Sequence, residues 1–151
     1  MKFSIARSTF LESLQMVQNV VSVKNTLQIL SNALIKAEDG KLWVTTTDLD
    51  MSVRCSVEAE ITEKGCTTLP SRRLASIVRE LPEGRIAFDI DEKDVASITC
   101  GASSFRINGL PMSDFPPIPG ADERLCYRMD QGAFREMLRK TAYAASFGWI
   151  R

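Results

Sequence analysis

No histidine occurs among the 151 residues of this chain. That absence removes the commonest general base, Ser-His and Cys-His nucleophile pairs, and histidine-ligated zinc. Cysteine is present but scattered: Cys55, Cys66, Cys100 and Cys126 form no CxxC pair, which argues against an all-cysteine zinc site or a thioredoxin-type motif. They read as small reduced thiols, with Cys55 and Cys100 on the apolar phase of strands. No apolar run is long enough to span a bilayer. The opening Met1-Lys2-Phe3-Ser4-Ile5-Ala6-Arg7 lacks the apolar core of a secretory signal, so a cytoplasmic protein is expected. Net charge is missing too. Lys+Arg and Asp+Glu each total 19, so only the distribution of charge can bear on partners. No catalytic residue, metal or cofactor is expected.

What is there is an ordinary apolar share of 44%, ample for one core and an α+β pattern that repeats. Lys2 to Ala6 alternates as a strand. Thr9 and Glu12 make a capping box for a helix whose stripe is Phe10, Leu14, Val17 and Val21. Strands follow at Asn32–Ala37 and Leu42–Thr47, joined by the hairpin signal Asp39-Gly40. A third runs Met51–Ile61, where Val53, Cys55, Val57 and Ala59 alternate with Arg54, Ser56 and Glu58. The order then recurs. Cys66–Leu69 is a strand, Ser71 caps a helix with the stripe Leu74, Ile77, Val78 and Leu81, and Pro82 and Gly84 stop it. Arg85–Asp91, Val95–Cys100 and Ser104–Asn108 complete three more strands. The spacing therefore predicts a duplicated strand-helix-three-strand unit, with two helices side by side on one face of a mostly antiparallel sheet.

The proline-rich loop Leu110–Gly120 reads as a linker. A third pass begins beyond it, with a strand at Arg124–Arg128, a cap at Asp130, and a helix lined by Phe134, Leu138, Thr141 and Ala145. The helix starts lie roughly sixty residues apart, a natural period for a duplicated half-domain. The predicted domains are 1–115, a linker at 116–123, and an incomplete second domain at 124–151, so the chain reads as truncated.

The charges are sorted by element. Lys24 follows the first helix. Arg72, Arg73 and Arg79 lie on the second, off its stripe, and Arg135, Arg139 and Lys140 hold the same place on the third. Acids gather in turns, at Asp48 and Asp50 and at Asp89, Asp91, Glu92 and Asp94. A basic helical face is the footprint of phosphate-backbone contact, although a merely solvated face gives the same pattern. No zinc finger, basic zipper or RNA-recognition signature occurs, so contact with nucleic acid is expected to be indifferent to sequence.

Several stretches in shared order resemble the beta subunit of bacterial DNA polymerase III, the sliding clamp. They include the opening Met1-Lys2-Phe3, Thr26-Leu27-Gln28-Ile29-Leu30-Ser31-Asn32-Ala33-Leu34 and Thr47-Asp48-Leu49-Asp50-Met51. Leu69-Pro70-Ser71-Arg72-Arg73-Leu74, Leu81-Pro82-Glu83-Gly84 and Leu110-Pro111-Met112-Ser113-Asp114-Phe115-Pro116 join them. The resemblance runs from residue 1 to about 146. It implies the DNA clamp (processivity) fold, with a curved sheet outside and helices lining a ring around double-stranded DNA. It also implies a head-to-tail homodimer of three-domain subunits, with DNA polymerase III and the clamp loader as partners. Lys24, Arg72 and Arg79 match basic DNA-facing positions. Arg73, Phe105 and Ile107 match positions at the subunit interface, with core packing as the alternative for Phe105 and Ile107. The pocket for polymerase and loader peptides, between the family's second and third domains, lies outside this chain.

Two other functions are compatible with the residues. A truncated clamp would act as an interaction or capping module on full-length clamps through its docking strand. A metal-dependent phosphate enzyme would use Asp48 and Asp50 as ligands, but no third ligand, phosphate loop or base accompanies them, and Asp48 reads better as a turn residue.

Overall fold

The computed structural model describes residues 1–18, 20–21, 27–118 and 127–145, and it divides into two units, Met1–Ile118 and Pro119–Arg151. In the first, β1 (Lys2–Ala6) runs into α1 (Arg7–Gln18), followed by β2 (Asn32–Glu38), β3 (Lys41–Thr47), β4 (Ser52–Glu58) and β5 (Glu60–Glu63). The second pass is β6 (Gly65–Pro70), α2 (Ser71–Glu80), β7 (Arg85–Ile90), β8 (Val95–Cys100) and β9 (Ser103–Asn108). The strands form two sheets, ordered β5-β1-β7-β8-β9 and β4-β3-β2-β6, with every neighbouring pair antiparallel. The duplication is interlocked. Strand β1 pairs with β7 of the second repeat, and β6 pairs with β2 of the first.

Both helices pack against the sheets and against each other. Their stripes meet the inward residues of the strands: Phe10, Leu14, Val17, Leu74 and Val78 are fully buried, as are Ile35, Leu42, Val44, Ile86 and Ile98. Burying each such side chain contributes about 1.5–3 kcal/mol. Phe88 links the layers, stacked on Phe3 at 4.6 Å and edge-on to Phe10 at 5.3 Å. The predicted Asp39-Gly40 hairpin is formed with φ of 51° and 75° at its two residues, the left-handed pair that a tight two-residue turn requires. Gly109 is fixed for a different reason. A Cβ there would stand 2.3 Å from the Thr68 carbonyl oxygen and 2.8 Å from that of Asp94.

Three local expectations are corrected. Helix α1 starts at Arg7, so Thr9 is inside it and not its cap; the Arg7 N–H donates to the Gly84 carbonyl at 2.8 Å, which satisfies one of the first-turn N–H groups. Ser71 is the first residue of α2 rather than its cap. Pro70 holds the cap position with φ −57°, and the Ser71 hydroxyl is buried without a hydrogen-bond partner. The strand expected over Met51–Ile61 is two strands. At Ala59, whose N–H donates to the Gly40 carbonyl at 3.0 Å, the chain leaves the edge of one sheet for the edge of the other.

In the second unit, α3 (Gln131–Thr141) is capped by Asp130, whose carboxylate accepts from the Ala133 N–H at 2.8 Å, as expected. All residues from Tyr127 to Ala145 are exposed. The strand expected at Arg124–Arg128 falls largely outside the described residues, as does Cys126. The described cysteines, Cys55, Cys66 and Cys100, are free, and burial raises the thiol pKa of Cys55 and Cys66.

Candidate nucleic-acid interface

Arginine hydrogen bonds set how the two helices face solvent. From the start of α1, the Arg7 guanidinium donates to the Val78 carbonyl at 3.1 Å and the Arg79 carbonyl at 2.6 Å, and pairs with Glu83. These are last-turn carbonyls of α2 that the helix itself cannot satisfy. At the opposite end, Arg72 in the first turn of α2 reaches the Val21 carbonyl just beyond α1, at 3.4 Å. The start of each helix is thus tied to the end of the other, and the pair runs antiparallel.

With Leu74, Ala75 and Val78 turned inward, Arg72, Arg73, Ser76, Arg79 and Glu80 are left exposed. Arg72 and Arg79, seven residues apart, fall on the same side of α2. Among the described residues none of the three arginines takes part in an ion pair. Among the described residues Arg73 and Arg79 are available to a phosphate backbone without first breaking a protein contact, whereas Arg72 would give up its 3.4 Å bond to the Val21 carbonyl. The exposed side of α1 adds Ser8, Glu12, Gln15 and Met16, so Glu12 and Glu80 are the acids of this face. Lys24 lies outside the described residues.

The acids of the turns are engaged elsewhere. The Asp48 carboxylate accepts from the N–H groups of Asp50 at 3.1 Å and Met51 at 2.7 Å, shaping the β3–β4 turn. Among the described residues no three potential ligands come together for a metal ion, and what the structure shows of Asp48 is its role in the turn. Asp91 accepts from Lys93 and Val95 N–H groups, both at 2.9 Å, and the Val95 bond foremost holds its carboxyl below the usual range. Asp94 accepts from the Thr67 hydroxyl at 2.6 Å.

The interface candidates separate. Arg73 is on α2, whereas Phe105 and Ile107 are on β9, the edge of its sheet, two residues apart and on one side of the strand. Phe105 is 40% exposed, but Ile107 is 1% exposed and belongs to the core. Packing is therefore the role of the Ile107 side chain, because β9 is covered at that rung. Sequence reasoning did not anticipate Arg7, the residue that locks the helix pair. It precedes the expected helix start, and nothing in the local pattern marks its long-range role.

Comparison with known proteins gives one consistent result. The family described as "DNA polymerase III beta subunit, N-terminal domain" matches residues 1–119. The beta sliding clamp of Chlamydia muridarum is 36% identical over 146 residues, which is 97% of this chain and 40% of that protein. The crystal structure of the DNA polymerase sliding clamp from Caulobacter crescentus superposes with a TM-score of 0.88 at 36% identity, covering 98% of this chain and 40% of that one. The DNA polymerase III subunit beta of Pseudomonas aeruginosa gives 0.89 at 32% identity, covering 100% and 41%. The chain thus spans about two-fifths of the length of these relatives.

Proposed function

The chain belongs to the DNA polymerase III beta subunit family, the sliding clamps, and from that premise we propose that it is the N-terminal part of a processivity factor. The factor encircles duplex DNA without sequence preference and tethers the replicative polymerase. The family is a non-catalytic accessory factor, and nucleotidyl transfer belongs to another subunit. In this reading residues 1–115 form the first clamp domain, 116–123 a linker and 124–151 the start of a second domain. The observation that carries the reading is the α1–α2 pair, whose exposed face carries arginines that form no ion pair among the described residues. A ring holds DNA topologically, so its contacts need only be weak and salt-sensitive to permit sliding. Arg72 and Arg79 supply such contacts, and Lys24 joins them on the family resemblance.

Head-to-tail dimerisation fits β9, whose outer edge has no strand partner among the described residues. Phe105 and Arg73 would meet the partner subunit, and Ile107 would support the strand from inside. The polymerase and the clamp loader are the protein partners of the whole ring.

The test is fluorescence anisotropy of the chain with two duplexes of unrelated sequence over a range of salt. We expect equal affinity for both. The slope of log K against log salt should be about −3, since each phosphate neutralised contributes about 0.9 and three cations are involved. Arg72→Glu with Arg79→Glu should flatten it to about −1. Unchanged affinity in the double variant, or preference for one duplex, would reduce the arginines to a solvated surface.

A further inference from the structure

A single guanidinium, that of Arg7, holds three groups around the end of α2. Its Nε donates to the Val78 carbonyl at 3.1 Å and one terminal nitrogen to the Arg79 carbonyl at 2.6 Å, while the other pairs with Glu83. The backbone N–H of the same residue donates to the Gly84 carbonyl at 2.8 Å, so the chain from Val78 to Gly84 is held around Arg7. The cation also lies at the helix end where the peptide dipoles leave negative charge. Its side chain is only 18% exposed, so little of it is open to a ligand.

This arrangement decides which acid stands near Arg79. The terminal nitrogens of Arg7 share one planar fork, so the Glu83 carboxylate is brought close to the backbone of Arg79. Glu83 is 76% exposed, and Arg7 is its one ion-pair partner among the described residues. Glu80 is closer in sequence, but it directly follows Arg79, and adjacent helical residues do not face each other. Without Arg7, Arg79 is the cation beside an unpaired Glu83, and a pair between them withdraws Arg79 from a phosphate. We propose that Arg7 is a positioning residue of the nucleic-acid face, which fixes the last turn of α2 and holds Glu83 so that Arg79 stays unpaired for a DNA phosphate. This role presupposes that α2 meets duplex DNA, as proposed above. Arg7 then acts on DNA through Arg79 and not by contact. If Arg7 were a structural tie alone, affinity would follow stability across its variants; as a positioning residue it separates the two.

A cycle of variants in the full chain, titrated with a fluorescein-labelled DNA duplex and followed by anisotropy, tests this. Arg79→Gln should weaken binding and flatten the salt slope by about 0.9, one phosphate contact. Arg7→Met should weaken binding about threefold, the scale of one exposed ion pair formed in competition with a phosphate. Adding Glu83→Gln to Arg7→Met should restore the affinity, in a variant whose net charge equals that of the original chain. Glu83→Gln by itself should change affinity far less, because Arg7 already holds that carboxylate. With Arg79→Gln in place, Arg7→Met should have no further effect. Thermal melting sets a temperature at which every variant is folded. The lowered melting temperature of Arg7→Met should persist in the Arg7→Met/Glu83→Gln variant, whose α2 carbonyls still lack their donor while its affinity has returned. Additive effects of Arg7→Met and Arg79→Gln, or failure of Glu83→Gln to restore affinity, would overturn the proposal and leave Arg7 a structural tie. Unaltered affinity in Arg79→Gln would instead remove the reading of α2 as a DNA-facing helix, and the role of Arg7 with it.

Discussion

Arg72 and Arg79 are nearly two helical turns apart, about 10 Å along the axis of α2, and the stripe Leu74, Ala75 and Val78 between them decides which way both side chains point. Helical periodicity carries that information, so the basic face was readable from sequence. Strand periodicity carries less. Phe105 and Ile107 share a side of β9, yet one is 40% and the other 1% exposed. Alternation gives the side a residue faces but not whether anything covers that rung, which is a property of the assembled layers. The difference has a measurable consequence. Ile107→Ala should lower unfolding stability by about 2–5 kcal/mol, the range for a large-to-small change in a closed core, whereas Phe105→Ala should cost about 1 kcal/mol. Denaturant midpoints at unchanged slope measure both. Equal losses would mean that Phe105 is as deeply packed in solution as Ile107.

At the scale of elements, hydrophobic pattern located both α-helices and the strands of the first unit, except that it ran β4 and β5 together as one. It missed how they begin and change partners. Ala59 passes from one sheet to the other without disturbing the alternation, since β4 and β5 present the same side to one core. The pattern records burial and is silent on which sheet supplies it. The start of α1 at Arg7 was hidden for a related reason: its capping partners are Gly84, Val78 and Arg79, more than seventy residues away. Arg7 therefore joins elements that sequence reasoning treats separately. Replacing it with Met keeps the aliphatic stem and removes the donors. The carbonyls of Val78 and Arg79 then lose a charged partner, at a cost of about 2 kcal/mol. Thermal melting should register that loss, and the last-turn amides of α2 should exchange faster while those of β3 keep their rank. An unchanged melting temperature would mean that water satisfies these carbonyls as well as Arg7 does.

For the molecule as a whole, the two units differ in what stabilises them. The first has a closed core fed by both sheets and both helices. Val44 is fully buried on β3, a strand hydrogen-bonded on both sides, so its amide can exchange only when the sheet opens. In the second unit, α3 has eleven residues, below the length at which an isolated helix is stable in water. Its local supports are the Asp130 cap and the ion pair between Glu136 and Lys140 at 2.9 Å. They contribute about 1 kcal/mol and about 0.3–0.5 kcal/mol. Phe134 and Leu138, the apolar residues of its stripe, are 46% and 52% exposed, so burial adds little. A helix held only by local terms opens residue by residue and not with the core. Hydrogen exchange on the chain should therefore show the amides of Phe134 to Thr141 exchanging within about a hundredfold of unprotected peptide, a difference of under 3 kcal/mol. Those of Ile35 and Val44 should follow global unfolding. Equal protection of α3 and β3 would show that the helix has a packing partner in solution and that its stability is tertiary after all.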